Sequence, residues 1–160
     1  MTTEYLIVLP VEEFSVGAVY KAGESLPLHC TVMGWFSLSE DRAESLNELL
    51  PNVARFTHQF VLESVGEDMF GPSKTIPVNI LARTDALMRL HNVLLENLAL
   101  FGFITRTAVW TGRGYRPHVT PVGDRALEQG ERHTVTSMVL VRRDPQEGRK
   151  EVVSTHPLRS

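Results

Sequence analysis

Two short, β-forming segments of this chain carry the same tripeptide pattern. His29-Cys30-Thr31 lies in LPLHCTVMG, and His118-Val119-Thr120 lies in GYRPHVTP, 89 positions later. Each His has a proline one or two residues upstream, Pro27 and Pro117. In a strand, residues i and i+2 share a face and lie about 6.6 Å apart. His29 and Thr31 therefore point the same way, as do His118 and Thr120, while Leu28, Cys30 and Val32 take the opposite face and Met33 falls on the face of His29. A chain of 160 residues that repeats such a strand is one ordinary domain or two half-size lobes sharing a core. The repeat favours two similar lobes facing each other.

The rest of the pattern is α+β. EYLIVLPV reads as a buried strand ended by Pro10, and the glycine-rich FSVGAVYKAGESLP as a loop or a short turn of helix. SLSEDRAESLNELLPN predicts a helix capped by Ser39, with Leu46, Leu49 and Leu50 on one side and Pro51 marking its end. RFTHQFVLESV alternates, which places Phe56, His58, Phe60 and Leu62 on one strand face. EDMFGPSKT is turn chemistry and IPVNILAR a returning strand. TDALMRLHNVLLENLALFG is the strongest helix, with Thr84 or Asp85 as cap, Leu87, Leu90, Leu94, Leu98 and Phe101 as apolar stripe, and Gly102 as stop. FITRTAVW, PHVTPV, HTVTSMVLVRR and VVSTH read as further strands, the last at an edge, and TGRGYR as a basic turn. Strands broken by only two helices, with hairpin-length connections, favour antiparallel sheet over a doubly wound parallel one.

Composition narrows the function classes. An apolar fraction of 42% with 22% charged residues is that of a globular protein and argues against disorder. A net charge of -3 argues against bulk electrostatic binding to long nucleic acid, and leaves room for a phosphorylated ligand in a local basic pocket. The one cysteine, Cys30, makes no internal disulfide and suits a reducing compartment. The N-terminal segment lacks the basic leader and small-residue cleavage site of a signal peptide, and no apolar stretch approaches the roughly 20 residues of a bilayer span. The expectation is a cytoplasmic protein without a membrane partner, and no obligate protein partner is evident.

Two imidazoles and two hydroxyls converging on one groove suit a phosphodiester. A neutral imidazole takes a proton from the nucleophile, an imidazolium gives one to the leaving oxygen, and the hydroxyls donate to the non-bridging oxygens. Histidine fits this work near neutrality because its reference pKa is about 6.5. Each such acid or base is typically worth about 10²–10⁴ in rate. No metal or other cofactor is required.

With HCTV and HVTP, the second set in YRPHVTP, the chain resembles the 2H phosphoesterase superfamily, which includes bacterial 2′-5′ RNA ligase-like proteins and cyclic phosphodiesterases. The resemblance spans nearly the whole chain. It implies a single domain over residues 1–160, made of two α+β lobes related by a pseudo-twofold, with antiparallel sheets lining a central groove and helices outside. It implies that His29 and His118 are the acid–base pair and that Thr31 and Thr120 bind phosphate. It implies as substrate a small nucleotide, a cyclic oligonucleotide or an RNA end: a 2′,3′-cyclic phosphate or a 2′-5′ or 3′-5′ linkage, with RNA ligation as the same chemistry reversed. Pro121 departs from the family, where an apolar strand residue is common, and is expected to shorten its strand.

Further candidates for substrate contact are Tyr115, which either stacks on a base or packs the groove wall, Phe70, which offers a stacking platform or tucks into the core, and Arg113 and Arg116, which flank the second motif and either neutralise phosphate or sit on a solvated turn. The bland alternative for the histidines is a pair of ordinary strand residues. A zinc site completed by His58, His133 or His156 lacks ligand spacing, and the Cys30 side chain is expected on the wrong face for it. His58 is expected to pack among phenylalanines, His91 to be a helix residue of surface or core, Trp35 and Trp110 to be core, and Arg142, Arg143, Arg149 and Lys150 to solvate a hairpin. The different-class rival is a module that binds a nucleotide or RNA end without turnover.

Overall fold

A computed structural model describes residues 2–105 and 111–160. Trp110 and the second half of the strand expected over residues 103–110 lie outside them.

The strands are β1 (Thr2–Pro10), β2 (Val19–Tyr20), β3 (His29–Ser39), β4 (Phe60–Phe70), β5 (Ile76–Leu81), β6 (Ile104–Thr105), β7 (His118–Val119), β8 (Arg132–Val135), β9 (Ser137–Arg143) and β10 (Lys150–Pro157). They form a sheet in the order β2-β10-β9-β1-β3-β7-β5-β4-β8, with β6 pairing to β3, and every pairing between strands is antiparallel. The two motif strands, β3 and β7, are neighbours at its centre. On one side lie β1, β9 and β10, and on the other β5, β4 and β8. The antiparallel α+β expectation holds, with the sheet dominant.

The helices α1 (Glu40–Ala43), α2 (Leu46–Arg55) and α3 (Asp85–Leu100) cover one face. Leu46, Leu50, Leu87, Leu94 and Leu98 bury there against Ile7, Leu9, Cys30 and Phe36. The Thr84 hydroxyl accepts the Leu87 N–H at 3.3 Å, and Gly102, at φ 73°, supplies the left-handed residue that stops α3. Pro51 does not end its helix. It is exposed, so the carbonyl deprived of its N–H partner faces water, while Val53 and Ala54 beyond it still bury an apolar face.

Several boundaries differ from expectation. The one helix expected over residues 37–52 divides into α1 and α2, with residues 37–39 still in β3, and β4 runs on through Phe70 into the segment expected as a turn. The strand expected at 55–65 begins only at Phe60, because Phe56 is still the C-cap of α2; Phe56 is 70% exposed, and His58 is exposed beside it. The single strand expected at 133–143 breaks at Thr136 and crosses the sheet, with β8 pairing to β4 and β9 to β1. The edge strand β10 is partly covered by β2, from the segment expected to be a loop or a short helical turn.

The other sheet face carries the motif side chains. Leu6, Val8, Val139, Val141 and Val152 form a small apolar floor there, capped by Phe14 and Leu26 of the 11–28 loop. Beyond that cap the face opens into a cleft of about 1060 Å³. Among the described residues no helix is long and apolar enough to cross a membrane.

Candidate active site

The centre of the cleft is set by one pairing. Cys30 on β3 is the partner of Val119 on β7 in antiparallel register. This puts His29 opposite Thr120 and Thr31 opposite His118, so all four side chains share one sheet face, and all four line the cleft. The two histidines are diagonal neighbours, a relation that places residues roughly 7–8 Å apart, with their Cβ atoms somewhat closer. Cys30 and Val119 point to the opposite face and are fully buried; burial pushes the Cys30 thiol up to about 11. Strand β7 is only two residues long and ends just before Thr120-Pro121.

Both imidazoles are held the same way. His29 Nδ1–H donates to the Pro27 carbonyl at 2.7 Å, and His118 Nδ1–H donates to the Arg116 carbonyl at 2.8 Å. In each case the acceptor lies two residues upstream. A carbonyl only accepts, so Nδ1 carries the proton and Nε2 is the nitrogen left for chemistry. A phenylalanine stands edge-on to each ring: Phe14 at 5.9 Å from His29 and Phe70 at 4.6 Å from His118, between centroids. Burial lowers both histidines below their ordinary range, against the carbonyl bonds, which favour the charged form. The charges of His118 and Lys150 lower His29 further, and that of Arg116 lowers His118.

Strand β3 carries irregularities beside the motif. The β1–β3 register shifts twice near Ile7, and Val32 has no partner on β1. Met33 consequently joins Cys30 and Val32 in the core, at 1% exposure, instead of facing the cleft with His29. Two side chains take up the backbone there. The Tyr115 hydroxyl donates to Thr31 O at 2.8 Å, and His91 Nδ1–H donates to Val32 O at 2.8 Å. His91 Nε2 accepts the Gly112 N–H at 2.9 Å, and its ring stacks on Tyr115 at 4.0 Å and 10°. Tyr115 is thus a packing and bridging residue with a hydroxyl held well above its usual range by burial; its ring face is already occupied. Arg83 donates to the Tyr115 carbonyl and holds the same turn.

Of the remaining candidates, Phe70 and Arg116 belong to the cleft wall. Phe70 ends β4 and is partly exposed beside His118, not tucked into the core. Arg116 lies over the Phe70 ring at 4.7 Å and pairs with Asp68 at 2.7 Å, which holds the Asp68 carboxyl below its usual range. Arg113 sits at the apex of the short 3-10 turn Gly112–Gly114, exposed and outside the cleft lining. The histidines considered for zinc are scattered. His58 bridges to Arg159, His133 Nε2–H donates to Pro10 O at 3.1 Å, and His156 Nε2 lies 2.9 Å from the Ser154 hydroxyl. Among the described residues no group of three or more His, Cys, Asp or Glu side chains is placed to hold a metal ion.

Sequence reasoning missed several residues in or packed behind the cleft. Phe14 carried no signal in its loop. Lys74 was hidden in a turn, where it adopts φ 51°. Trp35, expected in the core, lines the cleft with the Arg143 guanidinium 4.0 Å over its ring, and Lys150 lies at the same end. Strand alternation on β9 does separate Arg142, which pairs outward with Glu151 at 2.6 Å, from Arg143, which turns to the cleft.

A family model described as the 2′-5′ RNA ligase superfamily matches residues 9–149. No curated protein matches the sequence closely. Among solved structures, the chain is similar to Escherichia coli LigT complexed with 3′-AMP, at TM-score 0.66 and 18% identity, covering 100% of both chains. It is also similar to a Thermus thermophilus protein, at TM-score 0.60 and 21% identity over 100% of this chain and 99% of that one. LigT complexed with ATP matches at TM-score 0.55 and 19% identity, over 99% of each chain. These likenesses establish the fold.

Proposed function

The chain belongs to the 2′-5′ RNA ligase superfamily of 2H phosphoesterases, and on that premise we propose that it is a metal-independent phosphodiesterase acting on a nucleotide-derived substrate. The substrate is a 2′,3′-cyclic phosphate or a 2′-5′ or 3′-5′ linkage in a short or cyclic oligonucleotide. The observation that carries this reading is the matched pair of imidazoles: two histidines on one sheet face, each with Nδ1 bound to the carbonyl two residues upstream and Nε2 left toward the cleft.

The reaction needs two proton transfers. One neutral imidazole removes a proton from water or a ribose hydroxyl at Nε2 as the oxygen bonds to phosphorus. The other, as imidazolium, delivers its Nε2 proton to the oxygen whose bond to phosphorus breaks. Thr31 and Thr120, one beside each histidine, donate to the non-bridging oxygens, where negative charge builds. A cyclic phosphate opened by water gives a monoester; opened by a ribose hydroxyl, it gives a new linkage, which is the ligase direction. LigT has been crystallised with 3′-AMP and ATP, which supports nucleotides as ligands of the corresponding cleft here. We place the protein in the cytoplasm, consistent with its single buried cysteine.

The test is a panel of nucleoside 2′,3′-cyclic phosphates, 2′-5′ and 3′-5′ dinucleotides and cyclic dinucleotides, incubated in excess EDTA with product analysis. We expect at least one to be turned over. Tight binding with no turnover across the panel would make the protein a binding module. Turnover lost in EDTA and restored by zinc, magnesium or manganese would overturn the metal-free mechanism.

A further inference from the structure

The cleft extends well past the four motif side chains. Its volume of about 1060 Å³ lies just above the roughly 300–1,000 Å³ typical of small-molecule sites. One arm, beside His118, holds Phe70, Arg116 and Lys74. The other, toward β9 and β10, holds Trp35, Arg143 and Lys150.

The second arm has an electrostatic arrangement that folding alone does not call for. Arg143 and Lys150 are direct partners in the β9–β10 ladder. Like charges directly opposite each other in a sheet are destabilising. Arg143 is oriented by Glu4, to which it donates at 3.1 Å, and by the Trp35 ring beneath it. Lys150 makes no ion pair among the described residues. Its Nζ donates to the Glu24 carbonyl at 2.6 Å, while the Glu24 carboxylate acts on it only through space. Burial and the Arg143 charge both work against the Lys150 ammonium, and the Lys150 charge in turn bears on His29. A second cation thus faces the same cleft as the reactive centre, next to an aromatic ring and a guanidinium, the two kinds of plane on which bases stack.

We propose that Trp35, Arg143 and Lys150 form a second subsite that takes a phosphate and its base, so that the substrate spans at least two nucleotides and carries a phosphate besides the scissile one. This rests on the phosphodiesterase reading above and narrows it, placing mononucleoside cyclic phosphates among the poor substrates. Lys150 supplies the point charge, and Arg143, held flat over the Trp35 ring, supplies both the planar fork and the stacking surface.

The test pairs a ligand charge with a protein charge. Two dinucleotides ending in a 2′,3′-cyclic phosphate are compared, one with a natural internal phosphodiester and one with a neutral methylphosphonate in its place. Their binding is measured by calorimetry to the wild type, Lys150→Gln and Arg143→Gln, and their turnover by the wild type. In the wild type, neutralising the linkage should weaken binding at least about tenfold, a loss characteristic of a charge-assisted contact. In Lys150→Gln the same change should cost about twofold or less, which is the coupling expected of groups in contact. Equal binding of the two ligands by the wild type would overturn the subsite, even if both variants fail to fold. An undiminished linkage effect in folded Lys150→Gln and Arg143→Gln would overturn the assignment to these residues. A linkage effect in binding with no turnover of either ligand would overturn the catalytic reading and leave the subsite standing.

Discussion

Cys30 and Val119 face each other across β3 and β7, and that single register brings His29 opposite Thr120 and Thr31 opposite His118. The paired residues are buried while their neighbours line the cleft, so the core side of the pair positions the reactive side. A bulky residue at either centre would push the two strands apart. Val119→Phe should lower thermal stability and turnover together, because overpacking a fully buried site costs about 1–3 kcal/mol. Melting temperature and kcat measured on one preparation check this.

The two hydroxyls should matter less than the two imidazoles. In the proposed mechanism Thr31→Val and Thr120→Val would each remove one hydrogen bond to a charged oxygen, worth about 1.5–3 kcal/mol, which is roughly ten- to a hundredfold in kcat/KM. Thr→Ser at either position should restore most of it. Steady-state kinetics on the three forms at each site gives the comparison.

Tyr115→Phe should act through the backbone of Thr31. It removes the hydroxyl that now donates to the part-buried Thr31 O at 2.8 Å and leaves that oxygen the weak Cys30 thiol donor, a loss of about 0.5–1.5 kcal/mol. We expect reduced stability and a fall in kcat larger than any rise in KM, since the residue positions Thr31 and has its ring face covered by His91. A rise in KM alone would assign Tyr115 to ligand stacking instead.

Much of this was legible in the sequence because strand alternation is a strong constraint. His29, Thr31, His118 and Thr120 had to share faces in pairs, and Thr84 and Gly102 marked both ends of α3. What alternation cannot convey is a bulge, and the register shifts near Ile7 sent Met33 into the core. Nor does it show which loop folds over which face, so Phe14 went unnoticed. Arg143 and Lys150 looked like a solvated hairpin because nothing local reveals that Trp35, more than a hundred positions away, would stack beneath Arg143. Pro51 misled for a different reason: an exposed helix position tolerates the missing N–H when the buried side is intact.

Folding stability should decline as the medium becomes acidic. Burial holds His91 below its ordinary value, with the Arg83 charge adding to the effect. The unfolded chain therefore takes up this proton first. The contribution is fully present above about pH 6.5 and is lost as pH falls toward the lower folded value. Protonation would also put an Nε2–H against the Gly112 N–H that the nitrogen now accepts. Denaturant unfolding at a series of pH values should show this slope, and His91→Gln should flatten part of it.

Turnover should follow a bell-shaped pH profile, since the proposed mechanism needs one neutral and one protonated imidazole. Both histidines are lowered by burial, and His29 also by the charge of His118. Both limbs of kcat/KM should therefore fall on the acid side of about pH 6.5. Lys150→Gln removes a positive neighbour of His29 and should move one limb upward.

The most direct measurement is turnover of a dinucleotide ending in a 2′,3′-cyclic phosphate by His29→Ala, His118→Ala and the double variant, with ligand binding measured in parallel. Each single variant should lose at least about 10² in kcat while still binding the ligand, and the double variant should be little worse than the weaker single, because the two imidazoles act as one unit. Near-full activity in either single variant, on a substrate that the wild type turns over, would contradict the paired-imidazole mechanism.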